Sequence, residues 1–240
     1  MVLYKYYPVN RLSVLTERCI YFTRPGMLND PFEGGFDLED VARLRGDLAR
    51  VPWFANLLDA AAARDERRAL TLAVESLVVL SLSSRPDSLL MWSHYADWHA
   101  GFVIGVDVEH PEMASGRFRH LAQVRYLHDR PARRLARQLA QDELMLTKSV
   151  EWHYEAEWRM LDSSFAAAGD PPQGSPDTWP FPLPPDAVRN LIVGTRAARP
   201  MLEEIEDVLA SPQYAHVRRF RTETDPRKFR LNVLPVDQRR

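Results

Sequence analysis

The chain has 240 residues, enough to bury a sizeable core, and its 45% apolar and 27% charged shares are those of an ordinary soluble globular protein. A formal net charge of −2 gives no electrostatic case for bulk nucleic-acid binding. The single cysteine, Cys19, excludes an intrachain disulfide and a thiolate cluster for zinc.

The opening "MVLYKYYPVNRL" lacks the basic-then-apolar pattern of a signal peptide. No stretch approaches the roughly 18 consecutive apolar residues of a membrane span. The expectation is a cytoplasmic protein with no membrane partner. "VLYKYYP" predicts a short aromatic strand closed by Pro8. "NRLSVLTERC" places Leu12, Leu15 and Cys19 at helical spacing, with Asn10 as the N-cap. "IYFTRP" predicts a second strand, and "GMLNDPFEGGF" carries turn chemistry. Residues 38 to 80 predict helices ("LEDVARLRGDLARV", "FANLLDAAAARDERRALTLAVESL") followed by a buried strand, "VVLSLS".

"PDSLLMWSHYADWHAG" predicts a helix with Ser88 near its start and Gly101 just past its end. "GFVIGVDVE" sets Phe102, Ile104, Val106 and Val108 against Val103, Gly105 and Asp107, the alternation of a strand. "AQVRYLHD" predicts another strand and "RPARRLARQLAQDELMLTKS" a helix. Residues 163–186 hold seven prolines and predict a long loop or lid without regular structure. A strand ("VRNLIVGT"), a helix ("RPMLEEIEDVLAS") and two strands ("HVRRFRTE", "RKFRLNVLPV") complete the chain. Strands and helices are interspersed without clean alternation. The expectation is one domain over 1–240, a mixed α+β fold of mainly antiparallel sheet with inserted helices.

The stretch "EWHYEAEWRML" carries the most chemistry. As a strand it puts Glu155, Glu157, Arg159 and Leu161 on one face, and Ala156, Trp158 and Met160 on the other. As a helix it gives no clean apolar stripe. The bland reading is a salt-bridged, solvent-facing strand. The sharper one is a paired-carboxylate site in which Arg159 restrains the pKa of one glutamate.

"LYKY", "IYFTRPGMLNDPFE", "LLMWSHYADWHAGFVIGVD" and "EWHYEAEWRML" together resemble a widespread bacterial family of unknown function, domain of unknown function 2971. The order of elements also resembles the ADP-ribosyltransferase fold, with Lys5 or Tyr6 on the first strand, Tyr21 and Thr23 on the second, and Glu155-Ala-Glu157 on a later one. That resemblance implies an enzyme that uses NAD as substrate, transferring ADP-ribose to an unidentified acceptor or hydrolysing NAD. It implies that Glu157 stabilises the ribose cation and Glu155 orients or deprotonates the acceptor. Tyr21 or Tyr6 would stack on the nicotinamide, and Lys5 or Arg11 would pair with the pyrophosphate. The first-strand Arg or His of that fold is absent, and Lys5 replaces it only as a point charge.

Other candidates have a structural and a functional reading side by side. Asn29 and Asp30 in "NDPFE" either cap their own turn or stand at the rim of the pocket. His94 is either a packing residue or a substrate contact, and its spacing from His99 builds no metal site on this helix. Two further function classes remain. A Mg²⁺-dependent nuclease would use Asp107 or Asp30 with Glu155 and Glu157, and would want a nearby lysine, a residue almost missing from this chain (Lys5, Lys148 and Lys228 alone). A non-catalytic module would grip a partner through the Pro/Trp loop around Trp179.

Overall fold

Aromatic and β-branched residues suit a pleated, half-buried surface, and Val2–Tyr7 (β1) is extended up to the proline that follows it. In the computed structural model the residues described are 1–32, 77–114, 120–129, 145–162 and 178–236. The helices expected between residues 38 and 76, and most of the one expected at 130–149, lie outside them. The strands after β1 are Cys19–Thr23 (β2), Val78–Ser83 (β3), Phe102–Asp107 (β4), His120–Gln123 (β5), Arg125–Leu127 (β6) and Thr147–Ser149 (β7). Glu157–Asp162 (β8), Thr178–Pro182 (β9), Val188–Val193 (β10), Arg218–Thr224 (β11) and Leu231–Pro235 (β12) follow. Among the helices are Ser13–Thr16 (α1), Leu89–Tyr95 (α2), Pro111–Ala114 (α3) and Arg199–Leu209 (α4). The fold is mixed α+β, mainly antiparallel.

The strands form a ten-stranded sheet in the order β12-β11-β10-β4-β1-β3-β2-β9, with β8 and β5 branching from β3, and a separate β6–β7 pair. The branch has a simple cause. β8 pairs with β3 along all six residues, from Val78↔Asp162 to Ser83↔Glu157. β1 and β2 therefore share the other edge of β3, each by one pair: Tyr4↔Ser83 and Thr23↔Val79. Between these contacts the two strands diverge into a fork. The parallel β10–β11 pair needs a crossover, which α4 supplies, burying Met201, Ile205 and Leu209 at i, i+4, i+8.

Alternation assigns the two faces. Leu3, Leu80, Phe102, Ile104, Val106, Met160 and Leu191 share the main core, whereas Tyr6, Trp92, Val103 and Ile192 form a second cluster beneath α2. Ser88 caps α2 by accepting a hydrogen bond from the Met91 amide, as expected.

Several expectations need correction. Asn10 caps nothing. Residues 9–11 form a single 3₁₀ turn and α1 is four residues long, because Leu12, Val14 and Leu15 are drawn into the core before a longer helix develops. The helix expected to reach Ala100 ends at Tyr95. Asp97, Trp98 and His99 all take positive φ (45°, 55° and 73°). The turn is held by the Val9 amide donating to Asp97 Oδ2 at 2.7 Å and the Arg196 amide donating to the His99 carbonyl at 3.0 Å. Gly194 packs so closely beneath it that a Cβ there would lie 2.0 Å from the His99 carbonyl oxygen. "AQVRYLHD" is split at Val124 between β5 and β6, and Thr147–Ser149 is strand rather than helix.

The proline-rich segment does contain regular structure, since β9 pairs with β2 from Cys19↔Pro182 to Thr23↔Thr178. The Leu183 amide donates to the Arg18 carbonyl at 2.8 Å, which sets the phase of the ladder. Odd-numbered residues then face β2 with their amides, and Pro180 and Pro182 turn their missing donors outward.

Candidate functional site

Glu157 is the first residue of β8, and Arg159 lies on the same face two residues on. The pair is bidentate: Arg159 Nε donates to Glu157 Oε1 and Nη2 to Oε2, both at 2.9 Å. Nη1 donates to the Met145 carbonyl at 2.7 Å. The strand is not solvent-facing, because Glu157 is 4% and Arg159 1% exposed.

Glu155 is not on the strand, which corrects the reading of one continuous extended face. It ends a 3₁₀ helix, Val150–Glu155, and Ala156 takes the left-handed conformation at φ 44° between the two glutamates. The reversal still brings the carboxylates together around one ammonium. Lys148 Nζ, from β7, lies 2.7 Å from Glu155 Oε2, 3.4 Å from Glu157 Oε2 and 3.5 Å from Asn29 Oδ1. The Tyr95 hydroxyl, at the end of α2, donates to Glu155 Oε1 at 2.6 Å and itself accepts from Asn29 Nδ2. The Glu157 amide donates to the Tyr126 hydroxyl at 2.8 Å. From the fork side, Lys5 Nζ donates to the Ser81 carbonyl at 2.9 Å.

Two cations, Lys148 and Arg159, and two carboxylates thus meet in one enclosed volume. Burial alone would raise the Glu157 carboxyl, but the Arg159 guanidinium and the Lys148 ammonium outweigh it and hold the group below its ordinary value. Lys5 is half-buried as a residue with its ammonium enclosed. Burial pushes it down to about 8, against the opposing pull of Glu157 and Glu155. Burial, and then the charge of Glu155, raise the Tyr95 phenol. Glu157 is therefore an ionised, positioned carboxylate at neutral pH.

Of the residues singled out from the sequence, Glu155, Glu157, Arg159 and Asn29 converge here, whereas Lys5 alternates onto the other face of the sheet with Leu3 and Tyr7 and reaches the Ser81 carbonyl. Arg11 stands near Lys5, its guanidinium 4.8 Å from the centroid of the Tyr21 ring, which covers one face of that ring. Thr23 lies at the end of β2 between Val79 and Thr178. Asp30 is buried and accepts from the Phe32 amide at 2.9 Å, the local turn bond expected of it. Tyr6 does not join the cluster. Its ring packs edge-on against Trp92 and its hydroxyl donates to the Arg85 carbonyl at 2.7 Å, so it has no open face to offer a ligand. His94 is exposed beside Tyr154, 5.9 Å between ring centroids. Asp107 is held by Arg189 at 2.9 Å, at the end of β4 paired with Val2. Among the described residues no group of three or more His, Cys, Asp or Glu side chains is arranged to hold a metal ion. Likewise, none of their helices is long and apolar enough to cross a membrane.

Sequence reasoning missed Lys148, Tyr95 and Tyr126. One signal for Lys148 was present: with three lysines among 31 basic residues, each lysine stands where arginine was the prevailing choice.

Residues 91–160 match the family described as Protein of unknown function (DUF2971). That span takes in most of "LLMWSHYADWHAGFVIGVD" and nearly all of "EWHYEAEWRML", hence Tyr95, Lys148, Glu155, Glu157 and Arg159. No curated protein matches the chain. No solved structure matches it either.

Proposed function

We propose that this chain is an NAD-dependent ADP-ribosyltransferase-like enzyme, transferring ADP-ribose to an acceptor or releasing it to water. One observation carries the reading. Glu157 is kept ionised at the head of β8, beside Glu155, the two carboxylates sharing the Lys148 ammonium. Breaking the nicotinamide–ribose bond builds positive charge on the ribose, and a fixed carboxylate in an enclosed site opposes that charge without reorganising. In this reading Glu157 supplies the stabilising charge. Glu155, held by Tyr95 and Lys148, orients the attacking nucleophile. Engaging either carboxylate requires Lys148 to yield part of its contact, and its longer 3.4 Å bond to Glu157 is the weaker of the two.

The test is incubation of the purified protein with NAD, with and without cell lysate as acceptor source, following nicotinamide release. Glu157→Gln should cut release about 100-fold, the kinetic equivalent of ~3 kcal/mol of lost electrostatic stabilisation. Its melting curve, run alongside, separates chemistry from unfolding. No release from the wild-type protein under either condition would sink the reading.

The contact of Lys148 with both glutamates favours one second reading, metal-dependent phosphodiester cleavage, for which a lysine near the carboxylates was the missing part. It requires Glu155 and Glu157 to turn oxygens from their cations toward Mg²⁺. Mg²⁺-dependent cleavage of nucleic acid, lost in Glu155→Gln, would support it over the transferase.

A further inference from the structure

β12 ends the sheet opposite β9, and among the described residues no strand lies beyond it. Its ladder to β11 has a fixed phase. The Asp225 amide donates to the Arg230 carbonyl at 3.0 Å and the Val236 amide to the Arg219 carbonyl at 2.9 Å. These bonds bracket a register that runs from Phe220↔Pro235 to Thr224↔Leu231. In an antiparallel ladder every second residue bonds its neighbour and the residues between face away. Arg230, Asn232, Leu234 and Val236 therefore turn their backbone toward β11, whereas Leu231, Val233 and Pro235 turn theirs outward. The outer edge offers the amides of Leu231 and Val233 and the carbonyls of all three.

The side chains along this edge are apolar on one face and polar at one point on the other. Leu231 is buried in the second cluster and Val233 packs against it, with the fully exposed Phe229 just before them and Pro235 just after. Asn232, on the opposite face, is half-buried, and its amide side chain has no hydrogen-bond partner among the described residues.

An occupant of this edge must match its donors and acceptors at the same spacing. A second β12, laid antiparallel about a two-fold axis at Asn232, does so. The Leu231 amide then donates to the partner's Val233 carbonyl and the Val233 amide to the partner's Leu231 carbonyl, and the axis repeats both bonds. No outward amide is left over. The missing amide of Pro235 falls opposite Phe229, beyond these bonds, and the proline ring meets the exposed aromatic one. Moving the axis to Val233 would set Leu231 against Pro235 and leave the Leu231 carbonyl without a donor. At the axis Asn232 faces its own copy in a non-hydrogen-bonded pair, with Cα atoms about 4.5 Å apart, where the two side-chain amides can bond each other.

We propose that β12 pairs with β12 of a second copy about a two-fold axis at Asn232, making a dimer with one continuous sheet. The site at the head of β8 lies beyond β11, β10, β4, β1 and β3 from this edge. The pairing therefore leaves that site to each copy and does not depend on the reaction assigned to it.

The experiment is sedimentation of the full chain over a wide range of concentration, in wild type, Asn232→Asp and Val233→Pro. Wild type should reach twice the chain mass and dissociate on dilution. Asn232→Asp sets two carboxylates against each other and should weaken association about 10-fold at pH 7, with the melting temperature of the dilute protein unchanged. Val233→Pro deletes an outward amide, leaves the ladder to β11 intact and should weaken association about 30-fold. Oxidation of Asn232→Cys in a Cys19→Ser background should give a covalent dimer, because the two sulfurs then meet at a spacing a disulfide spans. Leu234→Cys in the same background faces residue 230 of the partner and should not cross-link. A monomer at every concentration overturns the proposal. So does a dimer whose affinity neither Asn232→Asp nor Val233→Pro changes, or one that cross-links through position 234 and not 232.

Discussion

Replacing Arg159 with methionine tests the electrostatic core of the site. The substitution removes two charge-assisted bonds to Glu157 at 2.9 Å and one to the Met145 carbonyl at 2.7 Å, all at a residue 1% exposed. Glu157 remains buried with Lys148 at 3.4 Å as its ammonium partner. Breaking a buried pair on one side typically costs about 3–5 kcal/mol, because the abandoned charge has lost its compensation. With Lys148 recovering part of this, the expected cost at pH 7 is ~3–4 kcal/mol, or roughly 10 °C in melting temperature for a chain of this size.

The pH dependence has a fixed sign. The folded Glu157 carboxyl lies below its ordinary value of 4.5, so its contribution to stability is present above that pH and is lost as pH falls through the depressed value. In Arg159→Met burial dominates instead. The carboxyl protonates at a higher pH and ceases to be a stranded charge, so by pH 4 the deficit should shrink to less than half. Urea titrations of both proteins at pH 7 and pH 4, followed by tryptophan fluorescence, measure it. A deficit below about 1 kcal/mol at pH 7, or one equal at both pH values, would show that Arg159 does not compensate a buried carboxylate.

Two backbone predictions follow from close approach and handedness. Gly194→Ala should cost at least about 2–3 kcal/mol by denaturant titration, since its Cβ would fall 2.0 Å from the His99 carbonyl and neither backbone can give way cheaply. Ala156→Gly should stabilise by about 0.5–1 kcal/mol, because a residue at φ 44° bears the left-handed penalty that glycine escapes. A neutral or destabilising result there would mean that the alanine methyl packs to more effect than the strain it causes.

The parts of the fold written in period-two alternation were legible. Phe102, Ile104 and Val106 face one core and Val103 the other, and Trp158 and Met160 oppose Glu157 and Arg159, as their spacing required. The pairing of Arg159 with Glu157 was legible for the same reason. What the pattern hid was set by distant partners. β7 is three residues long, and "TKS" carries no apolar alternation to announce that Lys148 points inward. The left-handed turn at Ala156 lacks the Gly or Asn that marks such turns, and so do the three residues after Ala96. Their conformations are imposed by the hydrogen bonds around them, not by local preference. The burial of both faces of β8 was equally invisible, because a charged face looks solvated until its counter-ions are known to come from the same chain.

The two prolines of β9 have a consequence for self-association. Among the described residues this strand ends the sheet on one side, and an open edge with regularly spaced amides invites the strand of another molecule to dock. Here the outward-facing positions between Thr178 and the end of the strand are Pro180 and Pro182, neither of which has an amide proton to offer. The inner ladder to β2 is untouched, while a second copy approaching this edge would find acceptors without their matching donors. The same "TWPFP" that breaks every rule for a central strand thus closes the sheet against growth from that side.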